Sequence, residues 1–528
     1  MKIDDIEDIG KPKVKKACRS WSGVLVVTLV TGPGKFSCPF NCKYCPNEPG
    51  QPRSYLSSEP AVARGNESAF DPVGQFNSRL GLLRKNGHQL DKIEIIVLGG
   101  TFSSYPRSYQ TEFIRDTFYA ANTYSDEIKR DRLSIEEEQT INETARYRII
   151  GVSLETRPDF ITKVELMRFR KLGCTRIQIG VQHTDNAILE FVERGHTVEQ
   201  SIKAIKLMKM NGFKIDIHIM PDLPTTTPEK DKQMIRRIMN SKDFQADYLK
   251  LYPCLDVDFT EIRNMKLNGT WKPYAEEDNG EILIEVCLEA KIHSKRWTRF
   301  NRIQRDFPEA REDLVGFRSN CIKTNFRQYL QNAAKKKGIK CLCIRCLEVK
   351  KQKLGKYKLF IDSYEASGGI EYFIHYSSYD KNILYGFIRL RFNFHDDSTV
   401  FFQLQDTALV RELHVYGLIQ VVNSNNTGNS TVQHKGMGKQ LVNMAETISY
   451  FHGYKKIAII SGVGVREYYK KTGYKLEGEG LYMTKELSFK FETTMYYLYL
   501  KIIDIIKITW MTCQKILLNI FTKFISKK

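Results

Sequence analysis

TRIQIGVQ (175–182), TVEQSIKAIKLMKMNG (197–212) and KIDIHIMPDLP (214–224) decide the fold. The outer two are short β-branched runs of strand type. The middle one is helical in pattern and ends on Gly212, a residue suited to a helix C-cap. Strand, helix, strand is a βαβ unit and implies a parallel pair. Working outward, VLVVTLV (24–30), KIEIIVLGG (92–100), RIIGVSLETRP (148–158) and YLKLYP (248–253) are further strands, with RWTRFNRIQRD (296–306) a seventh. Six or more such units between Val24 and Phe307 predict an α/β architecture, a full or partial (β/α) barrel. Barrel chemistry collects at the C-terminal strand ends. The unusual residues fall there: cysteines after the first strand, Gly99-Gly100-Thr101 after the second, Glu155-Thr156-Arg157 after the third and Gln182 after the fourth.

The loop after the first strand reads FSCPFNCKYCPN (36–47), so Cys38, Cys42 and Cys45 have C-x3-C-x2-C spacing. Three thiolates from one short loop can hold three irons of a [4Fe–4S] cluster and leave the fourth open, unlike ferredoxins, where a Cys closes each iron. A zinc knuckle would want a fourth Cys or His close by, and none follows within 40 residues. The loop resembles that of radical S-adenosylmethionine enzymes. That resemblance implies that S-adenosyl-L-methionine chelates the open iron and that Tyr44 packs on its adenine. Gly99-Gly100-Thr101 resembles the family's glycine motif for the methionine amino group.

The 528 residues carry 81 Lys+Arg against 61 Asp+Glu, a net charge of +20, with 42% hydrophobic residues. Charge and hydrophobic content argue against acidic-only binding, collagen and bulk disorder, and favour a polyanion partner, nucleic acid or membrane surface. The first twenty residues, MKIDDIEDIGKPKVKKACRS, contain no apolar signal-peptide core, and no uncharged apolar stretch of 18 residues exists. We therefore expect a cytoplasmic, reducing location in which the twelve cysteines are ligands or core residues. Cys174, Cys254 and Cys287 are isolated and expected in the core.

Further on, ALVRELHVYG (408–417) is a strand, VQHKGMGKQLVNMAETI (432–448) a helix opening on Gln433-x-x-Gly436-x-Gly438, YKKIAIISG (454–462) a strand and VREYYKKTGY (465–474) a helix. Glycines at a helix start expose N–H groups to which a diphosphate can come close. The ordered set resembles the GNAT acetyltransferases, in which a tyrosine of the last helix sits near the thioester. Tyr468 and Tyr469 are the candidates, one of them expected in the core.

Together with GVSLETRPD, RGHTV, MPDLP, LKLYP, RIQRD and VRELHVYG, the pairing of these two halves resembles the catalytic-subunit family of Elongator, the tRNA-modifying complex, over about residues 20–485. The resemblance implies Cys38, Cys42 and Cys45 as cluster ligands. It implies Lys92, Glu412, Leu413, His414, Val415, Met437, Gly438 and Lys439 as acetyl-CoA contacts, with Tyr469 at the thioester. Cys341, Cys343 and Cys346 in KCLCIRCLEV (340–349) match a zinc-binding connector that still lacks a fourth ligand. The expected layout is a basic arm (1–20), a radical S-adenosylmethionine barrel (21–307), a basic Cys-rich connector (308–356), an α+β GNAT domain (357–487) and a tail (488–528). The implied activity is carboxymethylation of C5 of a tRNA wobble uridine. A 5′-deoxyadenosyl radical takes hydrogen from the acetyl methyl of acetyl-CoA, the carbon radical adds to the base, and thioester hydrolysis follows. The implied partners are the tRNA anticodon loop, an electron-donor protein and other Elongator subunits. Protein lysine acetylation by the GNAT half alone is the alternative. In the tail, Tyr499, Ile502, Ile503, Ile506, Trp510, Cys513, Leu517, Ile520, Phe521 and Phe524 share one helical face, giving an amphipathic helix that lies on a membrane surface or docks on protein.

Overall fold

The structure, a computed structural model, describes residues 22–34, 36, 38–305, 326–350, 352, 354–395, 398–417 and 436–525. The basic arm 1–20, the start of the connector (308–325), the polar stretch 423–431 and Gln433 lie outside the described residues.

All seven expected strands form: β1 (Leu25–Val30), β2 (Lys92–Leu98), β3 (Arg148–Thr156), β4 (Cys174–Gln182), β5 (Lys214–Ile219), β6 (Tyr248–Leu251) and β7 (Arg299–Ile303). They pair in chain order, each neighbour parallel, and the sheet curls without closing, so the barrel is partial. The sequence runs continue past the strands into the upper loops. β2 stops at Leu98 because Gly99 and Gly100 take φ of +140° and +83°. The outer faces of β4, β5 and β6 (Ile177, Ile179, Ile215, Ile217, Leu249, Leu251) are buried in the main core. Each such aliphatic side chain contributes about 1.5–3 kcal/mol. The helix Val198–Met210 packs there, opened by a reciprocal Thr197–Gln200 capping box and closed by Gly212 at φ +84°. Cys174, Cys254 and Cys287 are buried.

The second sheet holds β8 (Tyr357–Glu365), β9 (Gly369–Ser378), β10 (Leu384–Asn393), β11 (Ala408–Val415), β12 (Lys456–Ile459), β13 (Lys475–Glu477) and β14 (Tyr482–Glu486), ordered β13-β14-β12-β11-β10-β9-β8. β11 and β12 are parallel and pair only from Ala408 to Val410, so the lower half of β11 stands clear of β12. The helix Met437–Phe451 starts beside that gap, with Gly438 near Val415.

A fully buried ionic network joins the two sheets. Arg411, at an irregularity in the β10–β11 pairing, donates to Asp247 (3.0 Å) and Glu371 (2.8 Å). Lys209 reaches Glu371 at 2.9 Å, and Arg391 reaches it at 3.1 Å. Asp247 and Lys209 belong to the barrel, the others to the second sheet.

The tail is one helix, Phe491–Ile525. Its first turns dock on the second core through Thr494, Tyr497 and Leu500, while Lys490 bonds Asn443 (2.8 Å) and pairs with Glu446. At the start of the expected apolar stripe, Tyr499, Ile502 and Ile506 are 56–60% exposed rather than docked, and the side chains of Trp510, Cys513, Leu517, Ile520, Phe521 and Phe524 lie outside the described residues. Among the described residues no helix is long and apolar enough to cross a membrane.

Candidate active site

The cysteine loop is pinned to the upper rim of the barrel from several sides. Lys43 N–H donates to Val192 (3.1 Å), Asn47 N–H to Phe259 (3.0 Å), and Lys43 C=O accepts from Ile262 (3.2 Å). Thr101 Oγ1 donates to Cys38 Sγ at 3.3 Å. Arg157 Nη1 and Arg194 Nη1 donate to Cys42 Sγ at 3.8 and 3.7 Å. Two guanidinium groups on one buried sulfur suit a thiolate ligand rather than a neutral thiol. Gly195, at φ +71°, lets the Arg194 loop close on the Phe40 ring; a Cβ there would stand 2.6 Å from it. His196 behind this loop is buried, and burial together with Arg194 and Arg157 lowers its pKa to about 2, so it stays neutral.

The barrel interior is polar. Glu94, Arg176, Gln178, Asp216, Lys250 and Asn301 line it, where barrels of this class usually carry Val, Ile and Leu. Asn301 donates to Asp216 (2.6 Å), Lys250 bonds Gln178, and Arg176 pairs with Glu94 (3.1 Å). Asp216 Oδ1 and His218 Nε2 are buried without a partner, as groups awaiting a ligand are.

At the lower rim stand the first residues of five strands, Lys92, Arg148, Lys214, Tyr248 and Arg299. They face Glu412 and His414 of β11 and Met437, Gly438 and Lys439 of the helix Met437–Phe451 across one cavity of about 1270 Å³, which continues upward to Tyr44, Tyr55 and Gln182 near the cysteine loop. A seven-residue strand such as β2 spans about 23 Å, so the two ends of the cavity are about that far apart. Burial lowers the Lys92 ammonium below its ordinary value.

The Radical SAM superfamily model matches residues 36–238. The tRNA uridine(34) acetyltransferase of Methanocaldococcus jannaschii is 41% identical over 494 residues, 90% of this chain and 86% of its own length. Elongator complex protein 3 of Homo sapiens is 36% identical over 496 residues, again 90% and 86% of the two chains. The solved structure of the archaeal Methanocaldococcus infernus Elp3 with N-terminus deletion (1–46) superposes with a TM-score of 0.74 at 38% identity, covering 88% of this chain and 100% of that one. The chain belongs to the Elongator complex protein 3 family. That membership implies a [4Fe–4S] cluster and S-adenosylmethionine, and the donor set around Cys42 fits such a cluster.

In this Elongator protein 3 relative the two tyrosines part company. Tyr469 is the buried one, its ring 5.9 Å from Tyr474 in the second core, and burial raises its phenol. Tyr468 is 39% exposed and its hydroxyl points at Gly438, where an added Cβ would lie 2.8 Å away. Both line the cavity, as do Leu413 and Val415. The Glu412 carboxylate is already engaged by Arg389 (2.8 Å) and Tyr248, and His414 Nε2 by the Ser22 carbonyl (2.8 Å). Glu412 therefore offers the cavity its backbone.

Cys341, Cys343 and Cys346 bring their sulfurs within 4.8 Å of one another, the one such group among the described residues. The neighbouring Cys343 and Cys346 thiols favour a thiolate at Cys341. No fourth Cys, His, Asp or Glu among the described residues joins them. Sequence reasoning missed the polar barrel interior and the two arginines on Cys42. The alternation Lys214, Asp216, His218 in KIDIHI was the available signal for the first.

Proposed function

We propose that the chain carboxymethylates C5 of a wobble uridine in tRNA, drawing the two-carbon unit from acetyl-CoA. The observation that carries this reading is the single cavity shared by the cysteine loop and the start of the helix Met437–Phe451. The arm of CoA, anchored at the helix start below, can carry its acyl group up through this cavity toward a radical generated beside the cysteine loop. The bound cluster and S-adenosylmethionine supply a 5′-deoxyadenosyl radical.

The chain's own residues divide the remaining work. Cys38, Cys42 and Cys45 hold three irons, and the Gly99-Gly100 backbone receives the methionine end. The N–H groups at Met437, Gly438 and Lys439 take the diphosphate at the positive end of a helix. Leu413 to Val415 lie along the pantetheine, Lys92 guides the acyl end from the barrel side, and the Tyr468–Tyr469 pair lies at the thioester. The partly buried walls exclude water until hydrolysis releases CoA. Cys341, Cys343 and Cys346 hold zinc, whose fourth position is left to a ligand other than these thiols. The exposed Lys335, Lys336, Lys340 and Lys350 contact tRNA phosphates. An anticodon-loop base is unstacked and can enter the upper rim, where a helical base could not. A cytoplasmic setting, an electron-donor protein and other Elongator subunits complete the reading. Lysine acetylation by the second sheet alone would leave the cavity above Lys92 without a use.

Anaerobic incubation of reconstituted protein with tRNA, S-adenosylmethionine, acetyl-CoA and a reductant, followed by nucleoside mass analysis, tests the proposal. 5-Carboxymethyluridine that requires all four components supports it. Unmodified tRNA alongside acetylated lysine in an added peptide would overturn it.

A further inference from the structure

Cys45 has one guanidinium beside it, that of Arg53, whereas Cys42 has two that are buried. Two buried guanidinium groups converge on its sulfur, Arg157 from beyond β3 and Arg194 from beyond β4, at 3.8 and 3.7 Å. They are 1% and 7% exposed, so water screens their charge little. Each is held by a second anchor. Asp159 accepts from Arg157 at 3.0 and 3.3 Å, and the Phe40 ring lies 3.4 Å from the Arg157 guanidinium carbon. Arg194 Nη2 donates to the Gly180 carbonyl at 2.8 Å. Thr101 Oγ1 donates to Cys38.

We propose that Arg157 and Arg194 set the reduction potential of the cluster by acting through the Cys42 sulfur; this rests on the cluster reading above. Reduction adds one electron from an external one-electron donor protein and neither makes nor breaks a bond. Fixed positive charge and N–H donors at a cluster sulfur stabilise the more negative, reduced form and so raise the potential. Both arginines are positioning residues, since they reach the iron only through sulfur. Asp159 works the other way: its carboxylate offsets part of the Arg157 charge.

Full-length protein, reconstituted anaerobically, is titrated with dithionite while the reduced cluster is followed by electron paramagnetic resonance. Arg194→Gln is expected to lower the midpoint by at least a tenfold change in the reduction equilibrium, 59 mV for one electron. Arg194→Lys restores most of it, and Asp159→Asn shifts the midpoint upward. Iron and sulfide content, measured beside each titration, tests the cluster assignment separately from its tuning. A wild-type midpoint in both Arg194→Gln and Asp159→Asn at full iron content would overturn the proposal, as would shifts of the same sign. If Arg194→Gln fails to hold iron, Arg157→Gln takes its place: a lowered midpoint supports the proposal and an unchanged one refutes it.

Discussion

Replacing Gly438 with glutamate puts a carboxylate where the proposed acetyl-CoA diphosphate meets the helix Met437–Phe451. Gly438 has no strained backbone, so the change acts through its side chain. The new Cβ would lie 2.8 Å from the Tyr468 hydroxyl and 3.9 Å from Val415, which forces the tyrosine ring to move. Tyr468 is 39% exposed, so its hydroxyl end swings aside at small cost. A unit charge about 4 Å from the diphosphate adds about 4 kcal/mol of repulsion at an effective dielectric constant of about 20. The charge alone is worth about a thousandfold in affinity. A carboxylate near a helix N-terminus also favours the helix, so misfolding is not the expected cause of any loss. Calorimetric titration of full-length Gly438→Glu with acetyl-CoA should find binding abolished at accessible concentrations and cluster iron intact. Gly438→Ala, which adds no charge, should lose far less affinity than the glutamate variant. Undiminished affinity in the glutamate variant would refute the placement of the diphosphate at this helix.

Cys42→Ala should lose the visible cluster absorbance and the cleavage of S-adenosylmethionine; full iron content in that variant would contradict the ligand assignment. Against the burial that pushes it up, Arg411 and Lys209 pull the Glu371 carboxyl from its ordinary 4.5 to about 2. Its folded pKa is depressed, so its contribution is complete above pH 4.5 and fades as the pH falls toward 2. Melting temperature followed across that acid range should drop less steeply in Glu371→Gln, which is itself about 3–5 kcal/mol less stable near neutrality; parallel curves would argue against the network. Affinity for tRNA should fall steeply with salt, and reversing Lys335, Lys336 and Lys340 should flatten the log–log slope by about 0.7–0.9 per lost phosphate contact, whereas an unchanged slope would place the basic footprint elsewhere.

The strands of the barrel were legible because parallel strands with covered outer faces carry β-branched residues, as in Ile215, Ile217 and Ile219. The cysteine loop was legible because its three cysteines lie within eight residues of sequence. What stayed hidden depends on contacts between distant segments. Arg157 and Arg194 reach Cys42 across 115 and 152 residues, and Arg411 reaches Asp247 across 164. No local pattern pairs such charges. The tail illustrates the same limit: the helical period follows from its residues, but the docked face, with Tyr497 and Leu500, depends on where the core of the second sheet stands. The opposition of Tyr468 and Tyr469 was foreseen as one buried and one not, and only packing against Tyr474 decides which.

The central claim is that the barrel and the second sheet act on the same acetyl group within one cavity. Acetyl-CoA deuterated in its methyl group tests this directly, in an anaerobic reaction with tRNA, S-adenosylmethionine and reductant. The account predicts deuterium in the released 5′-deoxyadenosine and two deuterons retained in the methylene of the modified uridine before exchange. Modified uridine formed alongside deuterium-free 5′-deoxyadenosine would contradict it.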